Sequence, residues 1–445
     1  MKNKVVLAML IVVVMTLTII PMGSLLSASA AAGDGSEGNP YQISSAVALA
    51  NLAARVNSGT EPIEKYYRLM GDIDLTEYGA AYNSGKGWVP IGTEEKPFKG
   101  HFDGNGKKIT GLYINRKEDY TGLFGRTDSA TIKALGVEDA DITGGISTGS
   151  VAGYMGNAGG IANCYATGIV TGTQRIGGLV GNVYLPYVLE CYTTSAVSGE
   201  RMVGGLVGWV RGNPITNCYT TGAVTASGDS AGGVVGFVAY TGLVNCYAIG
   251  AVSAGDGGGG VVGGATNASI TDCAALNPSV TGAAEGAIQF GRVAGRLNGT
   301  ENIFSGNVAF SGMGTAGGAS FGVIANLATD KNGHSKNAEA LQTISGFPLG
   351  FDVAPWVYTP GGLPSFAGKP VPMPVHLGGS AHPRGDVTLD GIVDIDDILA
   401  VRAHMFGTMD LTGEKLTQAL DLCAGEPKTI DIDVILAIRG ILFGN

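Results

Sequence analysis

Gly178-Leu179-Val180-Gly181, Gly205-Leu206-Val207-Gly208, Gly233-Val234-Val235-Gly236 and Gly260-Val261-Val262-Gly263 are four copies of one glycine-framed apolar core. Working outward, the same core opens earlier as Gly122-Leu123-Phe124-Gly125 and Ser150-Val151-Ala152-Gly153. It continues later as Arg292-Val293-Ala294-Gly295 and, in worn form, as Gly322-Val323-Ile324-Ala325. The steps between last positions are 28, 28, 27, 28, 27, 32 and 30 residues. A fixed period of this size marks a solenoid, whose units bury their apolar faces only by stacking on one another.

A second landmark keeps the step. Cys164, Cys191, Cys218, Cys246 and Cys273 lie 27, 27, 28 and 27 residues apart, the first four followed by tyrosine. Val170, Val197, Val224 and Val252 come six residues after the first four cysteines, and Val280 seven after Cys273. Even spacing along a strand gives Cys and Val one side and the tyrosines the other. Cys and Val are therefore expected to point inward, and Tyr165, Tyr192, Tyr219 and Tyr247 outward. Two-helix repeats need longer units, and the runs of Val, Ile, Thr and Tyr lack a 3.6-residue period. Each unit is thus one turn of a parallel β-helix, with turns about 4.8 Å apart. Cysteines at that spacing fit free, buried thiols better than disulfides.

The core resembles the GLUG motif, and the resemblance extends over the segment before the first core, where Asp72-Ile73-Asp74-Leu75 and Phe102-Asp103-Gly104-Asn105-Gly106 match stretches that precede such repeats. The resemblance implies a structural role for Asp72 and Asp74, and a β-solenoid scaffold of the kind found in bacterial surface and secreted proteins. It does not imply a reaction.

In chain order, residues 1–30 read as a signal peptide: Lys2 and Lys4, the apolar run Val5 to Ile20, then Ala28-Ser29-Ala30. A membrane anchor is the alternative, but Pro21 and Gly23 follow the run closely. The mature chain is expected to be secreted and not membrane-spanning. Residues 33–120 read as an N-terminal cap, with a helix starting at Ser44 or Ser45, carrying Leu49, Leu52, Ala53 and Val56 on one face and stopping at Asn57-Ser58-Gly59. Residues 121–366 form the GLUG-repeat β-helix, and 367–384, with Pro370, Pro372, Pro374 and Pro383, a linker.

At 445 residues, 45% apolar and a net charge of −10, the chain fits a large-cored globular protein and argues against nucleic acid as a partner. It has no H-E-x-x-H, G-x-S-x-G or G-x-x-x-x-G-K-[ST] motif. Glu190, Glu200, Asp229, Asp256, Asp272 and Glu285, like Arg175, Arg201 and Arg211, read as lying at different phases of the period, so no catalytic constellation is legible. The position after each core glycine (Arg126, Tyr154, Asn182, Trp209, Phe237, Gly264, Arg296) varies and is often polar, hence outward. Tyr154, Trp209 and Phe237 are the candidate sugar-stacking residues, since aromatic faces offer rigid apolar area. The tyrosines after the cysteines could form a second such stripe.

Residues 385–445 carry a different signal. Asp386 to Asp397 is a twelve-residue calcium-loop pattern: Asp386, Thr388, Asp390, the Ile392 carbonyl, Asp394 and Asp397 at positions 1, 3, 5, 7, 9 and 12, with Gly391 at 6. Ile398-Leu399-Ala400-Val401-Arg402 follows and recurs as Ile435-Leu436-Ala437-Ile438-Arg439. A calcium loop plus helix, twice, resembles a type I dockerin. That resemblance implies a Ca²⁺-dependent partner, the cohesin domain of a scaffoldin, met by Ile395, Asp396 and Arg402 and, in the second copy, by Ile432, Asp433 and Arg439. It implies extracellular work in polysaccharide catabolism on a cellulosome-type complex, with cell-surface display through it. Thr388, Leu389 and Val434 depart from the pattern, and the second loop keeps only Asp421, Asp431 and Asp433 at shifted spacing. One good calcium site is expected. The tail's eleven acids and four bases, a net −7, make metal-coupled folding the expectation. Two function classes follow: a dockerin-borne solenoid that binds carbohydrate or a cell surface, or a glycoside hydrolase or lyase built on the β-helix.

Overall fold

The computed structural model describes residues 33–282, 289–317, 320–322, 325–366, 368–378 and 395–405, with Leu411, Lys415 and Ile438 as single positions. The chain is mostly β and winds as a parallel solenoid. One inward column can be followed through ten rungs, from Tyr41 through Tyr67, Phe102, Ile132, Ile161, Val188, Ile215, Leu243 and Ile270 to Phe304. The middle members are buried, and the two end members are half-buried against the same core. The second apolar residue of each core begins or precedes a strand in a seven-stranded parallel sheet: Phe124–Asp128, Ala152–Gly156, Val180–Tyr184, Val207–Arg211, Val235–Ala239, Val262–Thr266 and Ala294–Asn298.

The cysteine–valine parity gives the expected interior. Cys164, Cys191, Cys218, Cys246 and Cys273 are free and buried, and Val170, Val197, Val224, Val252 and Val280 form a buried column beside them. Each thiol leans on the carbonyl two residues back, at 3.2–3.3 Å. Burial pushes the thiols of Cys164, Cys218 and Cys273 well above the usual range. The residue before each cysteine (Asn163, Glu190, Asn217, Asn245, Asp272) has a φ of 51–54°. Asn and Asp tolerate this left-handed corner best, which accounts for four of the five.

Why glycine frames each core is a matter of close approach. A Cβ on Gly205 would sit 2.1 Å from the Gly233 carbonyl oxygen, because backbones of successive turns meet there.

At the N-terminal end, helix Ala46–Ser58 is capped by Ser45, whose side chain accepts from Ala48 N, and ended by Gly59 at φ 75°. It buries Ala46, Leu49, Leu52, Ala53 and Val56 in the same core as Trp88, whose indole donates to Leu123 O at 3.1 Å. Asn57 ties the helix to the first turns through Pro90 O and Gly92 N. Asp72 and Asp74 are turn acceptors, for Lys108 N and Thr76 N. Trp88 to Ile91 contributes an isolated bridge from Ile91 to Phe124.

After the last rungs the chain turns back. Strands Trp356–Val357, Gly362–Phe366 and Lys369–Pro372 form a small antiparallel sheet that lies along the outside of the solenoid. The stretch expected to be a linker from 367 is therefore structured as far as described. Lys369–Pro372 is an edge strand, and Val371, Met373 and Leu377 are buried. The remainder of that stretch, 379–384, lies outside the described residues. Among the described residues no helix is long and apolar enough to cross a membrane.

Candidate functional site

The tyrosines after the cysteines do point out of the solenoid interior, and they stack. Tyr165, Tyr192, Tyr219 and Tyr247 have ring centroids 5.0, 4.8 and 5.1 Å apart with planes within 5°. They are not an exposed stripe. Trp356 and Phe366 of the returning sheet cover Tyr219, and Tyr247 is fully buried, donating to Pro364 O at 2.7 Å. Lys369 sits 4.5 Å over the Tyr165 ring, whose hydroxyl donates to Glu138. The ring faces are spent on one another, so this ladder is corrected from a second sugar-stacking stripe to an internal joint.

The varied row lies on the outer face of the seven-stranded sheet. Arg126, Tyr154, Asn182, Trp209, Phe237, Gly264 and Arg296 are successive register partners. Of the three predicted stacking residues, Trp209 and Phe237 are neighbours, while Tyr154 stands one rung further off across Asn182. All three are half-buried rather than bare. Arg126 lies 4.7 Å over Tyr154 and Arg175 lies 5.5 Å over Trp209. Phe237 folds over Gly264, where a Cβ would come within 2.6 Å of its ring. Two residues further along the strands, Arg211 lies between Tyr184 (5.9 Å) and Tyr240 (4.9 Å). The face is thus one of arginine–aromatic pairs, an arrangement that holds guanidinium groups flat and ready.

At the corner beside this row, ionisable groups that looked scattered in sequence converge. Arg201 meets Asp229 through both Nε (3.1 Å) and a terminal nitrogen (2.9 Å). Arg296 bridges Asp229 (3.1 Å) and Asp256 (2.5 Å), and its Nε donates to Gln289. The groups line a shallow depression with Ser227, Gly228 and Gly255. Arg201, Asp229 and Asp256 each lie seven residues before the last glycine of the following core, so the expected difference in phase does not hold for them, and past the β-bulge between Ala226 and Asp229 the two aspartates pair in register. A usable signal existed: Arg201, Asp229 and Asp256 are 28 and 27 residues apart, the period of the repeat itself. Arg175 and Asn182, also missed, matter because the Nε of one and the Oδ1 of the other are buried without a hydrogen-bond partner.

The calcium-loop residues Asp386, Thr388, Asp390, Ile392 and Asp394 lie outside the described residues, as do Asp421, Asp431, Ile432, Asp433 and Arg439. Ile395, Asp396 and Asp397 lie in the helix Ile395–Met405, which buries Ala400 and Val401 and exposes Arg402. Among the described residues no three His, Cys, Asp or Glu side chains gather as metal ligands.

No family model matches the chain. A protein of Evansella cellulosilytica, provisionally named a Gly-rich membrane protein, is 37% identical over 145 residues, 31% of this chain and 16% of that one. Halomucin of Haloquadratum walsbyi is 36% identical over 161 residues, 34% of this chain and 2% of its own. The chain thus spans a small part of the relatives it matches, and the glycine-rich name fits a GLUG-like repeat. A crystal structure from Bacteroides ovatus, provisionally described as an immunoglobulin A1 protease, aligns with a TM-score of 0.50 at 22% identity, over 75% of this chain and 94% of that one. At that identity the likeness carries the β-solenoid fold alone.

Proposed function

We propose that this protein is a secreted, non-catalytic β-solenoid that binds carbohydrate, on a cell surface or in a plant wall, and joins a polysaccharide-degrading assembly through a calcium-dependent, dockerin-like tail. The tail reading rests on one observation. A calcium loop hands its last ligand to the helix that follows it, and the described helix Ile395–Met405 includes positions 10 to 12 of the Asp386–Asp397 pattern. Asp397, at position 12, then belongs to that helix. Ca²⁺ is the metal that this all-oxygen set suits, and relief of the tail's net −7 would couple binding to folding. Ile395, Asp396 and Arg402 are the proposed cohesin contacts from the first repeat, with Ile432, Asp433 and Arg439 from the second. The sugar-binding part rests on the uncovered row through Tyr154, Trp209 and Phe237. Secretion rests on the residue pattern of 1–30.

The test is a pull-down of the full chain on a panel of type I cohesins. Binding in millimolar Ca²⁺ that disappears with EGTA and with Asp386→Ala supports the tail reading. Capture by none of the panel, or capture indifferent to EGTA, defeats it.

A second reading, a polysaccharide lyase or hydrolase, is favoured by the convergence of Arg201, Asp229, Asp256 and Arg296. Against it, both carboxylates are held in ion pairs, which suits rung-to-rung bracing better than proton transfer. Release of reducing ends or unsaturated uronates from wall polysaccharides, abolished by Asp229→Asn, would establish this alternative.

A further inference from the structure

Asn182 is the odd member of its row. It is 2% exposed, yet its Oδ1 has no hydrogen-bond partner, and neither does the buried Nε of Arg175. Asn182 is the register partner of both Tyr154 and Trp209, so its small side chain lies covered between two larger, half-buried rings. Arg175 stands over the Trp209 ring. Arg211 projects from the same strand two residues beyond Trp209, about 7 Å away and on the same face.

The charge balance selects the ligand class. No carboxylate among the described residues pairs with Arg175 or Arg211, whereas the carboxylates near this face are already taken: Glu94 by Arg126, Asp128 by Lys99, Asp229 and Asp256 by Arg201 and Arg296. Two uncompensated guanidinium groups on one face of a chain with net charge −10 are a local exception to its acidity. Each is held by aromatic rings, which fixes its position and leaves its donor edge for a planar anion.

We propose that this face takes an acidic polysaccharide, specifically a uronate polymer, with sugar carboxylates on Arg175 and Arg211 and a ring face against Trp209. The proposal rests on the reading of this face as glycan-binding and adds the chemical class of the glycan.

The experiment is isothermal titration calorimetry of the full chain with polygalacturonate, alginate and, as the neutral control, a cello-oligosaccharide, at low and at physiological salt. The expected result is that at least one uronate polymer binds tenfold or more tighter than the neutral glycan, with affinity falling as salt rises. The double variant Arg175→Gln/Arg211→Gln should lose about tenfold for the uronate and nothing for the neutral sugar, whereas Trp209→Ala should weaken both. All these groups face outward, so melting temperatures serve as the folding control. Neutral and acidic glycans binding equally, or binding indifferent to the arginine pair, overturns the acidic-glycan inference and leaves glycan binding standing. Binding to none of the three overturns both.

Discussion

Replacing Tyr219 with alanine removes the central ring of the joint between the solenoid and its returning sheet. Tyr219 is 1% exposed and touches four rings: Tyr192 at 4.8 Å and Tyr247 at 5.1 Å within the ladder, Phe366 at 5.4 Å and Trp356 at 6.1 Å on the sheet. Truncating a buried aromatic side chain to alanine costs about 3–5 kcal/mol, transfer and cavity together. Half of the ring contacts face the returning sheet, so about 2 kcal/mol falls on its docking alone. That multiplies the undocked population about thirtyfold. The solenoid stacks rung on rung and loses only a local share, so the loss is concentrated where the sheet meets it. Hydrogen exchange of Trp356–Val357 and Gly362–Phe366 should accelerate by that factor, while Val188 and Ile215, on the inward column, keep their protection. Two controls sharpen the case. Tyr219→Phe keeps every ring contact and should cost less than about 1 kcal/mol. Tyr247→Phe strands the Pro364 carbonyl and should cost about 1 kcal/mol more than that. Unchanged exchange across the returning sheet in Tyr219→Ala would refute the argument that the ladder is what holds it.

Two further outcomes follow from the same geometry. Burial and, second, the Glu138 carboxylate push Tyr192 up to about 12, and burial raises Tyr165, Tyr219 and Tyr247 as well. A raised phenol favours the folded state fully below its unfolded value near pH 10 and loses that contribution above it. The protein should therefore weaken between about pH 10 and 12, with tyrosinate absorbance from the ladder appearing only as far-ultraviolet circular dichroism is lost; ladder ionisation near pH 10 in an intact fold would contradict this. Gly205→Ala, whose Cβ would meet the Gly233 carbonyl at 2.1 Å, should cost 3 kcal/mol or more in urea unfolding, because backbone cannot step aside. Gly264→Ala presses instead on the movable ring of Phe237 and should cost less than about 1 kcal/mol.

The interior was legible because a solenoid repeats its constraints. Once Cys218 and Val224 share a side, so do their counterparts a period away, and the register follows without any long-range inference. The outward groups were less legible, for two physical reasons. A bulge adds a residue without disturbing the inward columns, so Asp229 and Asp256 differ by one when counted from the preceding core although both lie seven residues before the last glycine of the next. The returning sheet does not repeat, and Trp356 and Phe366 carry no period to say which face they will cover. The prolines at 370 and 372 suggested an extended spacer, but proline is equally at home on an edge strand, which is where Lys369–Pro372 lies.

The two outward columns met opposite fates, and the contrast says where recognition belongs. Tyr165, Tyr192, Tyr219 and Tyr247 repeat one residue through four turns, and like rings 5 Å apart satisfy one another along the axis. Such a ladder is complete within the chain, and covering it costs no specific contact. The column Arg126, Tyr154, Asn182, Trp209, Phe237, Gly264, Arg296 changes residue at every rung, so no rung supplies its neighbour with a matching partner. Its rings turn instead to arginines and a glycine. Stacking energy between turns cannot account for that composition, because it rewards sameness. A surface whose residues differ turn by turn, at a pitch fixed to about 4.8 Å by the backbone, is suited to a ligand that is itself a linear polymer with unlike groups along its length.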